Sequence, residues 1–518
     1  MIERYDAVVV GSGPNGLTAA VTLARAGRSV LVVEAAPSLG GATATEELTL
    51  PGFRHDVFSA VHPAAVASPV FAERELELTR NGLRWIHPEL AMVHPLPDGR
   101  AAVLDRDLAR TAASLDALAA GDGRRWKATV EPYLRHYEAV RATMLSGFPP
   151  TAGPARLAAA FKLQGSLEFV RLLLLSAEAF AHELFEGEGA AWLYGSALHG
   201  DAPLDGAGSA IAAFWLNVMG HAGGWPSPEG GAGRIADALA GCLRGHGGAT
   251  RVGARAERVH VQRRRVTGVA LADGSTIATR TVVATTTPHG LLRLAGDALG
   301  DAYTRRAMRF RYGPQTVKLD WALDAQIPWE SDDARRAGTV HVGGTAAEVR
   351  AALLDVARRR LPEHPFLLAG QQSVADPTRA PTGKHTAWAY THVPAGVDWS
   401  AERERFAGVV ERQVERFAPG FRDTVLARHV MAPGDLQRRN ENLVCGDVGG
   451  GSYGLDQLIF RPVPSLTPYA TPVRGLFIGS AAAFPGGAVH GVPGHAAARA
   501  ALLEARIPRV PDLLRRGR

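Results

Sequence analysis

The chain has 518 residues, of which 46% are apolar and 21% charged, the balance of a globular protein rather than a disordered one. Its net charge of +6 comes largely from arginines spread along the chain. The clusters at 263–265, 358–360 and 515–516 read as solvated faces, and with no nucleic-acid module in sight nucleic acid is not an expected partner. Two distant cysteines, Cys242 and Cys445, exclude redox-dithiol chemistry, a thiolate zinc site and a disulfide framework, so no metal is expected and a reducing cytoplasm suits the chain.

The first strongly patterned stretch runs from Tyr5 to Thr43. Residues 5–10 are short, apolar and valine-rich, as a buried parallel strand should be, and they start too early to follow a signal peptide. Gly11, Gly13 and Gly16 then make a tight turn into a helix whose free N–H groups suit a pyrophosphate. Gly11 permits the turn, Gly13 lets backbone approach phosphate, and Gly16 allows close helix–strand packing. A second apolar run ends in Glu34, 18 residues after Gly16, where a carboxylate can accept ribose hydroxyls. An acid here favours FAD or NAD over NADP. The following pair Gly40 and Gly41 favours FAD, since a long dinucleotide passes close to backbone there.

Strand-like runs follow at 83–86, 91–95 and 101–104, split by turn signals. Apolar spacings of three and four predict helices over 111–120, 126–143 and 154–185. The last contains Phe169, Val170 and Leu172 to Leu175, and reads as a buried core or lid helix. The alternative is a helix dipping into one membrane leaflet, which would make contact with the membrane surface peripheral. No apolar run reaches 18 residues, so no spanning segment is expected.

A Gly/Pro-rich stretch at 225–234 introduces a helix from 235 to 244. Strands are predicted at 249–252, 256–262, 266–271 and 281–288. Further on, strands are predicted at 315–323, 338–342 and 385–393, with helices at 346–360 and 400–417. The tail repeats the opening logic: a strand from 474 to 480, a glycine loop from 484 to 494, and an alanine-rich helix from 495 to 503. Backbone donors at such a loop suit the N1–C2=O edge of a flavin, where negative charge develops on reduction.

The residues Gly11, Ser12, Gly13, Pro14, Asn15, Gly16 and Leu17, the pair Gly40 and Gly41, the stretches 452–458 and 461–464, and the loop 484–494 together resemble the phytoene-dehydrogenase-related flavoproteins. That resemblance implies an α/β fold: a discontinuous Rossmann-type FAD-binding domain from residues 1–75, 226–300 and 436–518, with an inserted α+β substrate or lid domain from 76–225 and 301–435. It implies non-covalent FAD held by Gly11, Gly13, Pro14, Asn15 and Gly16 at the pyrophosphate and by Glu34 at the ribose. Gly40, Gly41 and Thr43 would lie nearby, Gly479 and Ser480 by the ribityl chain, and Val489 and His490 near the ring. It also implies a small apolar or lipid-like substrate.

The chain departs from that family at Ala42 and Thr43, where an arginine or similar residue is common, and at the alanine run 481–483. Monoamine oxidases, more distant relatives, carry an acid where Ser480 stands, which counts against amine oxidation. No second strand–glycine loop–helix unit is present, so a dedicated NAD(P)H domain is not expected. The simplest chemistry is hydride transfer from a substrate carbon to FAD, as in a desaturase or dehydrogenase. A redox-neutral isomerase using reduced FAD and a non-catalytic flavin-containing scaffold are the alternatives. If a proton must also leave, His62 and His490 are the candidate catalytic residues, because both lie in segments expected to reach the ring. The sequence leaves the oligomeric state open.

Overall fold

The computed structural model describes residues 3–200 and 203–506. The arginines at 515–516 lie outside the described residues. Five short strands make an all-parallel sheet in the order Ala249–Arg251, Val30–Val33, Ala7–Val10, Thr281–Ala284, Leu476–Ile478. Its central strands are buried on both faces, which explains why they read as continuous Val/Ala runs rather than alternating ones. The helix Pro14–Arg25 links the first two strands. It starts at a proline, whose missing N–H costs nothing there, and Gly27, with φ +77°, turns the chain after it. Helices Gly233–Gly245 and Val492–Arg506 pack against it. Segments more than 200 residues apart in the chain thus meet in one Rossmann-type layer.

A seven-stranded mixed sheet lies apart from this layer, in the order Val425–Met431, Gln315–Leu323, His385–Val393, Leu367–Gly370, Ala337–Val342, Leu90–Pro95, Ala101–Leu104. The long strands Gln315–Leu323 and His385–Val393 fall where the sequence places them. Two strands, Leu367–Gly370 and Val425–Met431, were not predicted; their short or mixed polar sequences carry little alternation. The two faces of this sheet differ. Val317, Leu319, Trp321, Leu323, Ala387 and Ala389 pack in one core with Phe406 and Val410 of the helix Trp399–Glu415. The alternate residues on those strands, among them Lys318, Asp320, Trp388 and Tyr390, turn to the opposite side, where the helical layer lies.

Two predicted helices are broken. The one over 126–143 divides at His136, whose φ of −114° and ψ of 28° end Asp122–Arg135 and begin Tyr137–Met144. The one over 154–185 divides into Ala152–Leu174 and Ala177–Leu184, because the Ser176 side chain accepts the Ala179 N–H at 3.1 Å and caps a new helix. Ala152–Leu174 is also not buried on most sides. Phe169 and Leu172 point inward, while Leu163, Leu167, Val170 and Leu174 are 76%, 56%, 50% and 56% exposed. Their spacing is that of one helical face. No helix among the described residues is long and apolar enough to cross a membrane.

Candidate active site

The glycine turn sits at the C-terminal end of the parallel strands, where open α/β sheets bind ligands. Gly11 has φ +97°, and its N–H donates to the Val33 carbonyl at 2.9 Å. A Cβ at Gly16 would overlap the Gly11 carbonyl oxygen, so the helix can approach the strand only with glycine there. Gly13 is different. A Cβ on it would meet no protein atom closer than Gly41 Cα, at 4.0 Å. Gly13 is also the N-cap of the helix, and no side chain caps it. The helix start therefore keeps its donors and its positive pole for a ligand.

Glu34 is tied to the same turn. Its carboxylate accepts from Ser12 N at 2.8 Å, Ser12 Oγ at 2.7 Å and Ala36 N at 2.9 Å. Three of about four acceptor positions are filled, which leaves one for a ribose hydroxyl. The second glycine pair folds back on the first: Gly41 has φ +54°, and a Cβ there would lie 2.9 Å from Gly13 Cα. Thr43 holds that turn, its Oγ1 donating to the Gly40 carbonyl at 2.8 Å. Asn15 Oδ1 is buried without a hydrogen-bond partner, as a group reserved for a ligand would be.

The C-terminal motif arrives at the same place. Gly479 N–H donates to the Ala284 carbonyl at 2.9 Å, and Ser480 Oγ accepts the Ala482 N–H at 3.2 Å. A Cβ at Gly494 would overlap the Asn15 carbonyl oxygen, so the helix Val492–Arg506 begins against the start of Pro14–Arg25. Two helix N-termini thus converge, together with every predicted glycine. Val489 packs against the interior core beside them.

The two candidate histidines differ. His490 is buried, its Nδ1 accepts the Val492 N–H at 3.2 Å, and its Nε2 donates to the Gly487 carbonyl at 3.0 Å. Burial pushes its pKa down to about 4. With both nitrogens spent on its own loop, His490 has no lone pair for a substrate proton, and the expected catalytic role gives way to shaping the loop. His62 Nε2 lies 3.2 Å from Ser59 Oγ, which donates to the Ala42 carbonyl at 2.8 Å. Its Nδ1 has no partner. Burial, with a smaller push from the Arg379 charge, lowers its pKa to about 3. It is a proton acceptor in geometry but a weak one in strength. Its chain neighbour Val61 lines a small cavity, with room for about one water, together with Ile86, Trp225, Ser227 and Gln372.

The sequence reading missed a buried charged cluster. Lys318 donates to Asp320, whose Oδ2 has no partner, and Arg379 pairs with Asp56. All four side chains are almost wholly buried. Burial, against the pull of Lys318, raises the Asp320 pKa to about 6. Asp56 also accepts from Ala232 N at 2.7 Å and Thr45 Oγ1 at 2.8 Å, so the pair joins three separate stretches of chain. The one available signal was Lys318 and Asp320 on the same face of an otherwise apolar strand. A second cluster, His94, His199 and His341, lines the interior side of the sheet, with His199 Nε2 and His341 Nε2 2.9 Å apart. Among the described residues no group of three or more His, Cys, Asp or Glu could hold a metal ion.

A family profile described as flavin containing amine oxidoreductase matches residues 15–502. The chain is 27% identical to pyridine nucleotide-disulfide oxidoreductase domain-containing protein 2 of Rattus norvegicus, over 96% of this chain and 93% of that protein. It is 23% identical to a subunit of the limonene dehydrogenase of Castellaniella defragrans, over 96% of this chain and 94% of the relative. Among solved structures, an oxidoreductase from Methanosarcina mazei has a TM-score of 0.65, covering 95% of this chain and 98% of that one at 17% identity, a likeness of fold. The resemblance visible at the two chain ends therefore extends along nearly the whole chain. The converging glycines, the uncapped helix start and the spare acceptor on Glu34 fit a dinucleotide, and the chain belongs to the flavin-containing amine oxidoreductase family, with FAD as its cofactor.

Proposed function

We propose that this oxidoreductase is a dehydrogenase or desaturase that removes hydride from a carbon of an apolar or lipid-like substrate. FAD supplies the hydride acceptor when bound. The protein's part is to hold the substrate between the helical layer and the inner face of the seven-stranded sheet. Aromatic side chains supply much of that layer: Phe161, Phe169 and Phe214 each contact the ring of Tyr133. The inner sheet face adds polar groups, and His62 Nδ1 and Asp320 Oδ2 have unused acceptor capacity for a departing proton. One relative is named for limonene, a hydrocarbon, which supports an apolar substrate. Only one parallel sheet of Rossmann order occurs among the described residues, which supports reoxidation by oxygen, a quinone or another carrier rather than NAD(P)H.

The observation that carries the apolar reading is the exposed stripe Leu163, Leu167, Val170 and Leu174. An uninterrupted apolar face on a surface helix marks an interaction site. Gly208, whose N–H donates to the Leu174 carbonyl at 3.2 Å, packs against Leu455, and the exposed Ile459 and Phe460 follow that residue. Arg311 pairs with Asp456 nearby, and Arg305, Arg306 and Arg309 are exposed beside it. Apolar side chains flanked by arginines suit the surface of an anionic bilayer, the source of a lipid-like substrate.

Two experiments test this reading. Anaerobic mixing of the holoprotein with candidate hydrocarbons and lipids is expected to bleach the flavin band with at least one of them. A flavin that stays oxidised with every apolar compound but bleaches with amines would refute the substrate class. In liposome flotation, Leu167→Glu is expected to reduce binding to anionic vesicles by about tenfold, the loss of roughly one buried leucine. Leu173 is half-buried and is a poorer probe. Equal flotation of wild type and variant would remove the membrane from this account.

A further inference from the structure

We propose that Arg461 is the fixed positive charge that faces the N1–C2=O edge of the bound flavin and stabilises the negative charge arriving there on reduction. This rests on the reading that loop 484–494 lies at that edge.

Arg461 is completely buried, among the largest side chains with no exposure. Among the described residues no carboxylate lies within ion-pair distance of it. The acid that attracts it through space is Asp447, whose carboxylate is held by the N–H groups of Gly449, Gly450 and Gly451 at 2.8, 3.1 and 2.7 Å. Arg461 instead donates to three neutral carbonyls: Gly451 at 2.9 Å, Ser452 at 3.1 Å and Ala481 at 3.3 Å. Its guanidinium also lies against the rings of Tyr453 at 5.1 Å and Phe310 at 6.0 Å. Its Nε has no partner. A buried cation with no carboxylate at ion-pair distance, held by carbonyl dipoles, ring faces and the Tyr453 side chain, is costly, so a fold that keeps one is expected to have a use for the charge.

Its position names that use. A Cβ at Gly486 would lie 2.5 Å from Arg461 Nη1, and one at Gly487 would lie 2.8 Å from the Tyr453 hydroxyl. The glycines of the loop therefore let backbone lie directly on the arginine and its stacking partner. The same loop carries His490 and ends at the helix beginning at Val492. A flavin edge laid on this loop has the guanidinium behind it, in a water-excluded setting where charge is poorly screened. Reduction places negative charge at N1–C2=O, and so does the addition of sulfite, whose sulfur lone pair bonds to flavin N5 and leaves the charge at N1. A cation at that edge favours both.

The test uses the FAD-loaded protein without substrate. Wild type is expected to form a sulfite adduct and to stabilise the anionic, red semiquinone on photoreduction. Arg461→Met is expected to weaken sulfite binding at least tenfold and to lower the two-electron midpoint potential, about 30 mV for each tenfold. Arg461→Lys, which keeps a charge, is expected to lie between the two. A colourless wild type would overturn the FAD reading itself. A yellow wild type that gives only the neutral, blue semiquinone and no adduct would leave FAD binding intact and overturn the assignment to Arg461. An Arg461→Met protein with normal FAD content and unchanged potential would overturn it as well. Should that variant not fold, wild type and Arg461→Lys decide between the two results.

Discussion

Gly13→Ala is expected to yield a folded protein whose FAD affinity is down about 100-fold, a loss of about 2.7 kcal/mol. The reasoning separates folding from binding. Gly13 has ordinary helical-entry dihedrals, φ −63° and ψ 172°, which alanine adopts without strain. A methyl group there would meet no protein atom closer than 4.0 Å. Its only opponent is a ligand laid on the uncapped helix start. Gly16→Ala and Gly494→Ala are the contrasting controls. Their Cβ atoms would overlap the carbonyl oxygens of Gly11 and Asn15, so both force apart elements that must touch in the apoprotein. They are expected to lose thermal stability as well as FAD. Flavin absorbance per polypeptide, FAD titration and apoprotein melting distinguish these outcomes. A Gly13→Ala protein with wild-type affinity would place the pyrophosphate elsewhere.

Acid is expected to unfold the protein between about pH 5 and 6, with the uptake of several protons. Six histidines, five of them buried and His199 partly so, are held neutral by desolvation: the pKa values of His55, His62 and His199 are pushed down to about 3, and those of His94, His221 and His490 to about 4. In the unfolded chain each titrates near 6.5. The unfolded state therefore binds more protons at every pH between those limits. The stability tied to these groups is complete above pH 6.5 and falls as pH drops towards 3–4. Each histidine loses about 1.4 kcal/mol per pH unit over that window. At pH 5.5 the six together lose about 8 kcal/mol, comparable with the whole stability of an ordinary domain. Asp320 acts in the opposite sense, since its folded pKa of about 6 lies above the unfolded value, but one carboxyl recovers little by pH 5.5. Near-UV circular dichroism against pH, with proton uptake measured across the transition, checks this. Native spectra at pH 4.5 would contradict it.

The dinucleotide end was legible because each of its signals is local. A turn that needs φ above zero at Gly11, a helix that starts at Pro14, and an acid one residue past a valine strand are all fixed within a few residues. The strands Gln315–Leu323 and His385–Val393 were legible for the same reason, as long runs of strand-forming residues with clear ends. The break at Ser176 lay in the sequence too, but the apolar periodicity running across it outweighed the capping signal.

By itself the sequence determined the local geometry at both ends of the chain and so the class of cofactor, because glycine placement and helix caps act through steric contact over short range. Only the tertiary structure decided which side chains face one another. Asp56 and Arg379 are 323 residues apart, and nothing in either neighbourhood announces the other. Nor could periodicity say whether the apolar face of Ala152–Leu174 is covered, or that the nitrogens of His490 are consumed by Gly487 and Val492. Burial and pairing depend on what packs against a residue, and in this chain those neighbours come from distant segments.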